Sequence, residues 1–253
     1  MINFEGKTCI VTGATSGIGL AIATKLASRR ANLVVVGRNE ARGQEAVARL
    51  SREGVKSVLV TADLADAAAP ALIRERTLET FGRIDVLINN AGILINGSVL
   101  ECSEVDWDRT LDINLSSAFR MSRAILPTMI AQRAGSIVNI ASDWALMGAK
   151  NATAYCVSKA ALAQLTRCMA LDFAADGVRV NAICPGDTDT PMLDQAFKDG
   201  DHASKMAVLA AGIPLGRVAR ADEIANATVF LASDEASFMT GALIPVDGGT
   251  SAQ

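Results

Sequence analysis

The 253-residue chain contains one tyrosine, one histidine and two tryptophans, and aromatic residues make up only 4% of it. A core so poor in rings must rest on Ala, Val, Ile and Leu. That suits helices packed closely on a parallel sheet better than a β-sandwich. The five cysteines (Cys9, Cys102, Cys156, Cys168, Cys184) form no CxxC pair. An odd, widely spaced set gives no disulfide framework and no zinc cage. It reads as small hydrophobes in a reduced, cytoplasmic compartment. The lone His202 lies in the polar stretch "KDGDHASK" and reads as a surface residue, so no metal site is expected. With a net charge of −3 and no Lys/Arg run, nothing favours a nucleic-acid partner. No segment approaches the ~18 uninterrupted apolar residues of a membrane span. The opening "MINFEGKTCIVTG" lacks the charged-then-apolar layout of a signal peptide. No Pro/Gly/Ser-rich linker, repeat or low-complexity run divides the chain, so residues 1–253 read as a single domain.

What is present is apolar and rhythmic. Half of the residues are hydrophobic, enough for a sizeable core. Seven short runs, at 7–13, 32–37, 57–62, 84–92, 135–142, 178–186 and 242–249, are rich in Val and Ile and bounded by Gly, Asn, Asp or Ser. They read as strands. Helical patterns lie between them, at about 17–29, 39–53, 66–81, 103–131, 153–175 and 221–233. Near-continuous apolar strands alternating with helices predict an α/β fold: a Rossmann-like, doubly wound parallel sheet of about seven strands with helices on both faces. Residues 187–219 break the rhythm. They follow the C-terminal end of a strand, where open α/β sheets place ligands, and are read as a substrate lid. A surface insertion is the alternative.

"IVTGATSGIG" joins the first strand to the first helix. Gly13, Gly17 and Gly19 fall where the backbone turns sharply and must come close to a ligand. The helix start offers free N–H groups and a positive dipole end, which suits a pyrophosphate. A glycine triplet alone also marks many tight turns. Here it follows a strand and opens a helix, the context a dinucleotide site requires. The spacing is GxxxGxG. "TGATSGIG" resembles the TGxxxGxG motif of the short-chain dehydrogenase/reductase family. "NNAG" at 89–92, "YCVSK" at 155–159 and "PGDTDT" at 185–190 resemble that family's NNAG, YxxxK and PGxxxT elements, in the same order and over essentially the whole chain.

The second strand ends "VVVGRN". Gly37 stands where an acid would grip a ribose 2′-hydroxyl, and Arg38 follows. A guanidinium without a competing carboxylate suits a 2′-phosphate. By resemblance this arrangement implies NADP(H); the alternative is NAD(H), with Arg38 stacked on adenine. Thr15, Asn39 and Arg42 are further candidates for contact. The resemblance implies that Ser16 and Ile18 share the glycine loop's role, and that Asp63 and Leu64 meet the adenine. It also implies that Asn90, Ala91 and Gly92 line the ribose, and that Pro185, Gly186, Thr188 and Thr190 approach the nicotinamide carboxamide.

Tyr155 lies one helical turn before Lys159, so the two share a face. An ammonium favours a phenolate, and the expected consequence is a phenol tuned down toward neutrality for general acid–base work. A core tyrosine with an incidental lysine is the plain alternative. Ser142 precedes Tyr155 by 13 residues, closing a strand, and its hydroxyl is suited to polarise a substrate oxygen. Asn114 in "LDINLSSAF" completes the family's tetrad with Ser142, Tyr155 and Lys159, and by resemblance it holds a water in a proton relay. Lys159 and Tyr155 would also touch the cofactor. Asp143, Trp144, Met147, Asp187 and Met192, with Leu94 and Leu193, are candidate substrate walls.

The expected activity is hydride transfer between a nicotinamide and a ketone/secondary-alcohol pair, with a small-molecule carbonyl or alcohol as partner. An NAD-dependent alcohol dehydrogenase, a 3-oxoacyl-thioester reductase and a non-catalytic nucleotide-binding protein are the alternatives. Relatives acting on carrier protein tend to carry basic residues beside the long helices. This chain has Arg133, but Asp176 stands where a second would be. The resemblance also implies a homo-oligomer, a tetramer or a dimer, paired through helices 103–131 and 153–175.

Overall fold

A computed structural model describes residues 2–196 and 201–253. The chain runs β1 (Thr8–Thr12), α1 (Gly17–Ala27), β2 (Asn32–Gly37), α2 (Glu40–Ser51), β3 (Ser57–Thr61), α3 (Ala69–Phe81), β4 (Val86–Asn89) and α4 (Glu104–Leu111). It continues through α5 (Ser117–Gln132), β5 (Gly135–Ile140), α6 (Thr153–Phe173), β6 (Val178–Pro185), β7 (Thr188–Asp189), α7 (Pro191–Ala196), α8 (His202–Ala210), β8 (Ala219–Arg220), α9 (Ala221–Ala232) and β9 (Leu243–Val246). Seven strands form one sheet in the order β3-β2-β1-β4-β5-β6-β9, every neighbouring pair parallel. All seven expected strands lie within their predicted ranges.

Alternation along the strands divides the core in two. On one face Leu33 and Val35 of β2 pack with Val11 and Ile88, under Ile22 and Leu26 of α1 and Ile224 and Val229 of α9. On the other, Val34 and Val36 pack with Ile10 and Ile137, under Ile73 of α3, Ile125 and Met129 of α5 and Met169 of α6. Strands covered on both sides have no polar face to show, which is why they read as continuous apolar runs. Each fully buried aliphatic side chain contributes about 1.5–3 kcal/mol relative to exposure.

Two stretches differ from the sequence reading. The helix expected over 103–131 is interrupted by a π-helical turn at Asp112–Ser116, which carries Asn114. Such one-turn bulges have no periodicity signature of their own. The irregular stretch expected at 187–219 contains β7, α7, α8 and β8; β7 pairs parallel with β8, Thr188 against Ala219 and Asp189 against Arg220. Helix α8 is started by Asp201, whose side chain accepts from the Ser204 N–H at 2.9 Å. Of the stretch expected as a lid, residues 197–200 lie outside the described residues.

Candidate active site

The C-terminal ends of β1, β4, β5 and β6 open into a cavity of about 720 Å³. At one end lie Gly13, Thr15, Ser16, Gly17, Ile18 and Gly19, with Arg38, Asp63 and Leu64 beside them. At the other lie Ser142, Asp143, Trp144, Tyr155 and Lys159. Asn90, Ala91 and Gly92 form the middle, and Pro185, Gly186, Asp187, Thr188 and Thr190, with Met192 and Leu193 of α7, close the side. Two expected residues do not line it. Met147 sits beyond the short turn after Ser142 and is 37% exposed. Asn114 is buried behind Gly92 and Ile93.

The glycine end is built by close approach. Gly13 has φ +64°, and a Cβ there would lie 2.9 Å from Asn90 Nδ2. A Cβ on Gly19 would collide with the Gly13 carbonyl and Asn90 Nδ2. Asn90 locks the loop to β4: its Nδ2 donates to the Thr12 carbonyl at 2.9 Å, and its N–H donates to Thr12 Oγ1 at 2.9 Å. Thr12 Oγ1 also accepts from the Ala91 N–H at 3.0 Å. Helix α1 begins at Gly17 with no side-chain cap from Ser16 and no acidic residue in its first turn. Its start therefore presents N–H groups to the cavity, the arrangement that holds a phosphate.

At the second strand, a Cβ on Gly37 would lie 2.5 Å from Thr15 Cγ2. Thr15 thus fills the place an acidic side chain would need. Arg38 lies 3.7 Å from Asp63 Oδ2, both side chains more than half exposed. Asp63 also closes its own turn, Oδ1 accepting from the Ala65 N–H at 3.0 Å. Asn39 is engaged as the cap of α2, accepting from the Arg42 N–H at 2.9 Å.

At the far end, Tyr155 and Lys159 share a face of α6 as expected, with Lys159 Nζ 5.6 Å from the phenol ring centre. Trp144 meets Tyr155 edge to face, ring centres 5.8 Å apart. Lys159 is 4% exposed and donates to the Ile140 carbonyl at 2.7 Å. Burial pulls its ammonium down to about 8. Asn114 is held on three sides: Nδ2 donates to the Ile93 carbonyl at 2.9 Å and to Ser158 Oγ at 3.0 Å, and Oδ1 accepts from the Ile93 N–H at 2.8 Å. A Cβ on Gly92 would sit 3.3 Å from Asn114 Oδ1 and 3.5 Å from Lys159 Nζ, so only a glycine separates the two.

The expected low phenol pKa is not what the protein's own groups produce. Burial pushes Tyr155 up to about 12, and the Asp143 and Asp187 carboxylates disfavour the phenolate further. Removing the phenolate from water costs more than its neighbours return. Sequence reasoning did not find Ser158, Thr12 and Ile93, which hold Asn114, Asn90 and Ala91. A serine or threonine beside a motif carries no signal until the fold shows what it touches.

The family model described as "Enoyl-(Acyl carrier protein) reductase" matches residues 13–251. An uncharacterized oxidoreductase of Thermotoga maritima is 40% identical over 99% of this chain and 100% of its own. The cis-4-hydroxycyclohexanecarboxylate dehydrogenase of Sinomonas cyclohexanicum is 41% identical over 98% of each chain. The crystal structure of levodione reductase superposes with a TM-score of 0.94 at 31% identity, covering 99% of both chains. The chain belongs to the short-chain dehydrogenase/reductase family. It is an NAD(P)-dependent oxidoreductase acting on small-molecule substrates.

The residues present fit the family's dinucleotide. The side-chain-free cradle at Gly13 and Gly19 and the uncapped start of α1 suit a pyrophosphate, and the cavity continues without a break to Tyr155. Among the described residues no group of three His, Cys, Asp or Glu could hold a metal ion, and no helix is long and apolar enough to cross a membrane.

Proposed function

We propose that this short-chain dehydrogenase/reductase uses NADP(H) to reduce an uncharged ketone to a secondary alcohol, with Tyr155 as the proton donor. The observation that carries the reading is the single cavity running from Arg38 to Tyr155, with a glycine where an acid would select NAD. Arg38 gives charge-assisted hydrogen bonds to a 2′-phosphate. Thr15, beside Gly37, leaves no room for a carboxylate at the end of β2; the Asp63 carboxylate 3.7 Å from Arg38 is the group a 2′-phosphate would compete with.

When bound, the nicotinamide supplies or accepts the hydride. The chain's own residues handle position and proton. Gly92, Pro185 and Thr188, which line the cavity, would hold the ring beside Tyr155. Tyr155, with a phenol near 12, is fully protonated at neutral pH and is ready to donate its hydroxyl proton to a carbonyl oxygen that gains charge. That state is the one reduction uses; alcohol oxidation needs the phenolate first. Lys159, with an ammonium near 8, is the adjacent group able to return a proton to the phenolate, and Asn114 holds the wall of its chamber.

Asp143 and Asp187 flank the same end and carry no ion pair among the described residues. Their charge disfavours keto acids and phosphorylated substrates, since like charges repel strongly where water is scarce. A second reading, reduction of a 3-oxoacyl thioester, draws on the 3-oxoacyl-(acyl-carrier-protein) reductase FabG of Escherichia coli, 36% identical over 98% of each chain. Arg133, the basic residue such a partner would use, faces Asp176 at 4.0 Å, which weakens that reading. The test is nicotinamide absorbance with both reduced cofactors across neutral alicyclic ketones, keto acids and acyl thioesters. Consumption of NADPH with neutral ketones, lost in Tyr155→Phe, is the expected result. Equal turnover in Tyr155→Phe would refute it.

A further inference from the structure

Asp143, described above only as a charge at the substrate end, is also the residue most tightly joined to Ser142. It opens a one-turn 3-10 helix, Asp143–Ala145, and is 5% exposed. Its Oδ1 accepts from Ser142 Oγ at 2.9 Å and from the Trp144 N–H at 2.8 Å. The same Trp144 N–H also reaches Ser142 Oγ, at 3.1 Å. A serine hydroxyl has one proton and two lone pairs. With the proton on Asp143 and one lone pair toward Trp144, Ser142 has only an acceptor left for the Tyr155 side. It cannot donate to a substrate oxygen in that state.

We propose that Asp143 is a positioning residue that holds the Ser142 proton, so that Ser142 accepts when Asp143 is ionised and donates to the substrate oxygen when Asp143 is protonated. The inference rests on the reading that Ser142 and Tyr155 face the reacting oxygen. One O–H bond forms on the Asp143 carboxyl and one breaks in the hydronium that donates the proton, leaving water; no other covalent bond changes. The carboxyl takes its proton from solvent, and the Ser142 hydroxyl rotates toward the substrate.

The surroundings bring this change into the working range. Burial pushes the Asp143 carboxyl up to about 6; its two donors pull it down, and the Asp187 and Asp247 carboxylates push it up again. The other titratable groups facing it are Tyr155 and Cys156 on α6 and Cys184 on β6, with Lys159 one turn beyond Tyr155. Of these, Tyr155 and Cys184, pushed to about 12 and about 11, stay protonated across neutral pH. Lys159, near 8, changes charge above the range in question.

Ionised Asp143 therefore withholds one of two donors from the developing alkoxide, and its protonation restores it. One oxyanion donor is typically worth about 10²–10³ in rate; with Tyr155 already donating, a rise on the order of tenfold is expected as pH falls through about 6. The experiment is the pH profile of kcat for NADPH-dependent ketone reduction in wild type, Ser142→Ala, Asp143→Asn and the double variant. The expected result is a limb near pH 6 in wild type that is absent from all three variants, while any Lys159 limb near 8 remains. Asp143→Asn should also cost nothing further when Ser142 is already alanine. A limb near 6 persisting in Ser142→Ala, or additive losses in the double variant, overturns the proposal. The Ser142→Ala comparison decides it even if Asp143→Asn does not fold. If neither Ser142→Ala nor Tyr155→Phe reduces turnover, the underlying reading has failed instead. A readout without turnover exists as well. Tyr155 is the only tyrosine, so near-ultraviolet phenolate absorbance reports it alone, and Asp143→Asn should lower its midpoint. An unchanged midpoint counts against the coupling.

Discussion

Replacing Lys159 by methionine should stabilise the fold at neutral pH while removing turnover. Lys159 is 4% exposed, and burial takes its ammonium from 10.5 to about 8. At about 1.36 kcal/mol per pKa unit, the folded state carries a penalty of about 3 kcal/mol for holding the charge. The hydrogen bond to the Ile140 carbonyl and the contact with the Tyr155 ring return part of this, about 1–2 kcal/mol together. The net gain in Lys159→Met is then about 1–2 kcal/mol, or a Tm rise of about 3–6 °C for a chain of this size. The sign depends on pH. The folded-state pKa is depressed, so the unfolded chain binds more protons between about 8 and 10.5 and wild-type stability rises across that window. The advantage of Lys159→Met is full below about 8 and fades toward 10.5. Thermal melts of both proteins at several pH values, read by circular dichroism, provide the measurement. A lower Tm for the variant at neutral pH, or a difference that does not change up to the lysine range, would show that the ammonium is not held against a desolvation cost.

Tyr155 gives a second test: its phenolate absorbance, with Tyr155→Phe as blank, should have a midpoint near 12, and a midpoint at or below about 10 would refute the dominance of burial. Arg38→Asp should lower the NADPH-to-NADH ratio of kcat/KM by about 10–100-fold, the worth of a charged hydrogen bond. Its exposed 3.7 Å pair with Asp63 contributes little to stability, so Tm should barely move; an unchanged cofactor ratio would remove Arg38 from the argument. Gly19→Ala drives a Cβ into the Gly13 carbonyl and Asn90 Nδ2, and should weaken NADPH binding at least tenfold in fluorescence titration while costing about 1–3 kcal/mol of stability. Normal NADPH affinity in that variant would mean the loop has room the geometry denies.

The sequence alone determined the sheet, its seven strands and the position of the glycine loop. Burial on both faces forces continuous apolar runs, and a backbone approaching a phosphate excludes side chains; both leave marks that can be read one residue at a time. Tyr155 and Lys159 were legible as partners because helical spacing fixes their face. Tertiary structure decided what their electrostatics would be. The phenol's pKa depends on how much water the fold removes and on Asp143 and Asp187, which come from separate strand ends. The π-turn around Asn114 and the grip of Ser158 and Ile93 on its amide were likewise invisible, since they join residues 21 and 44 positions apart. Local pattern reports the geometry of one element. The charge state of a buried group is the sum of everything the fold packs around it.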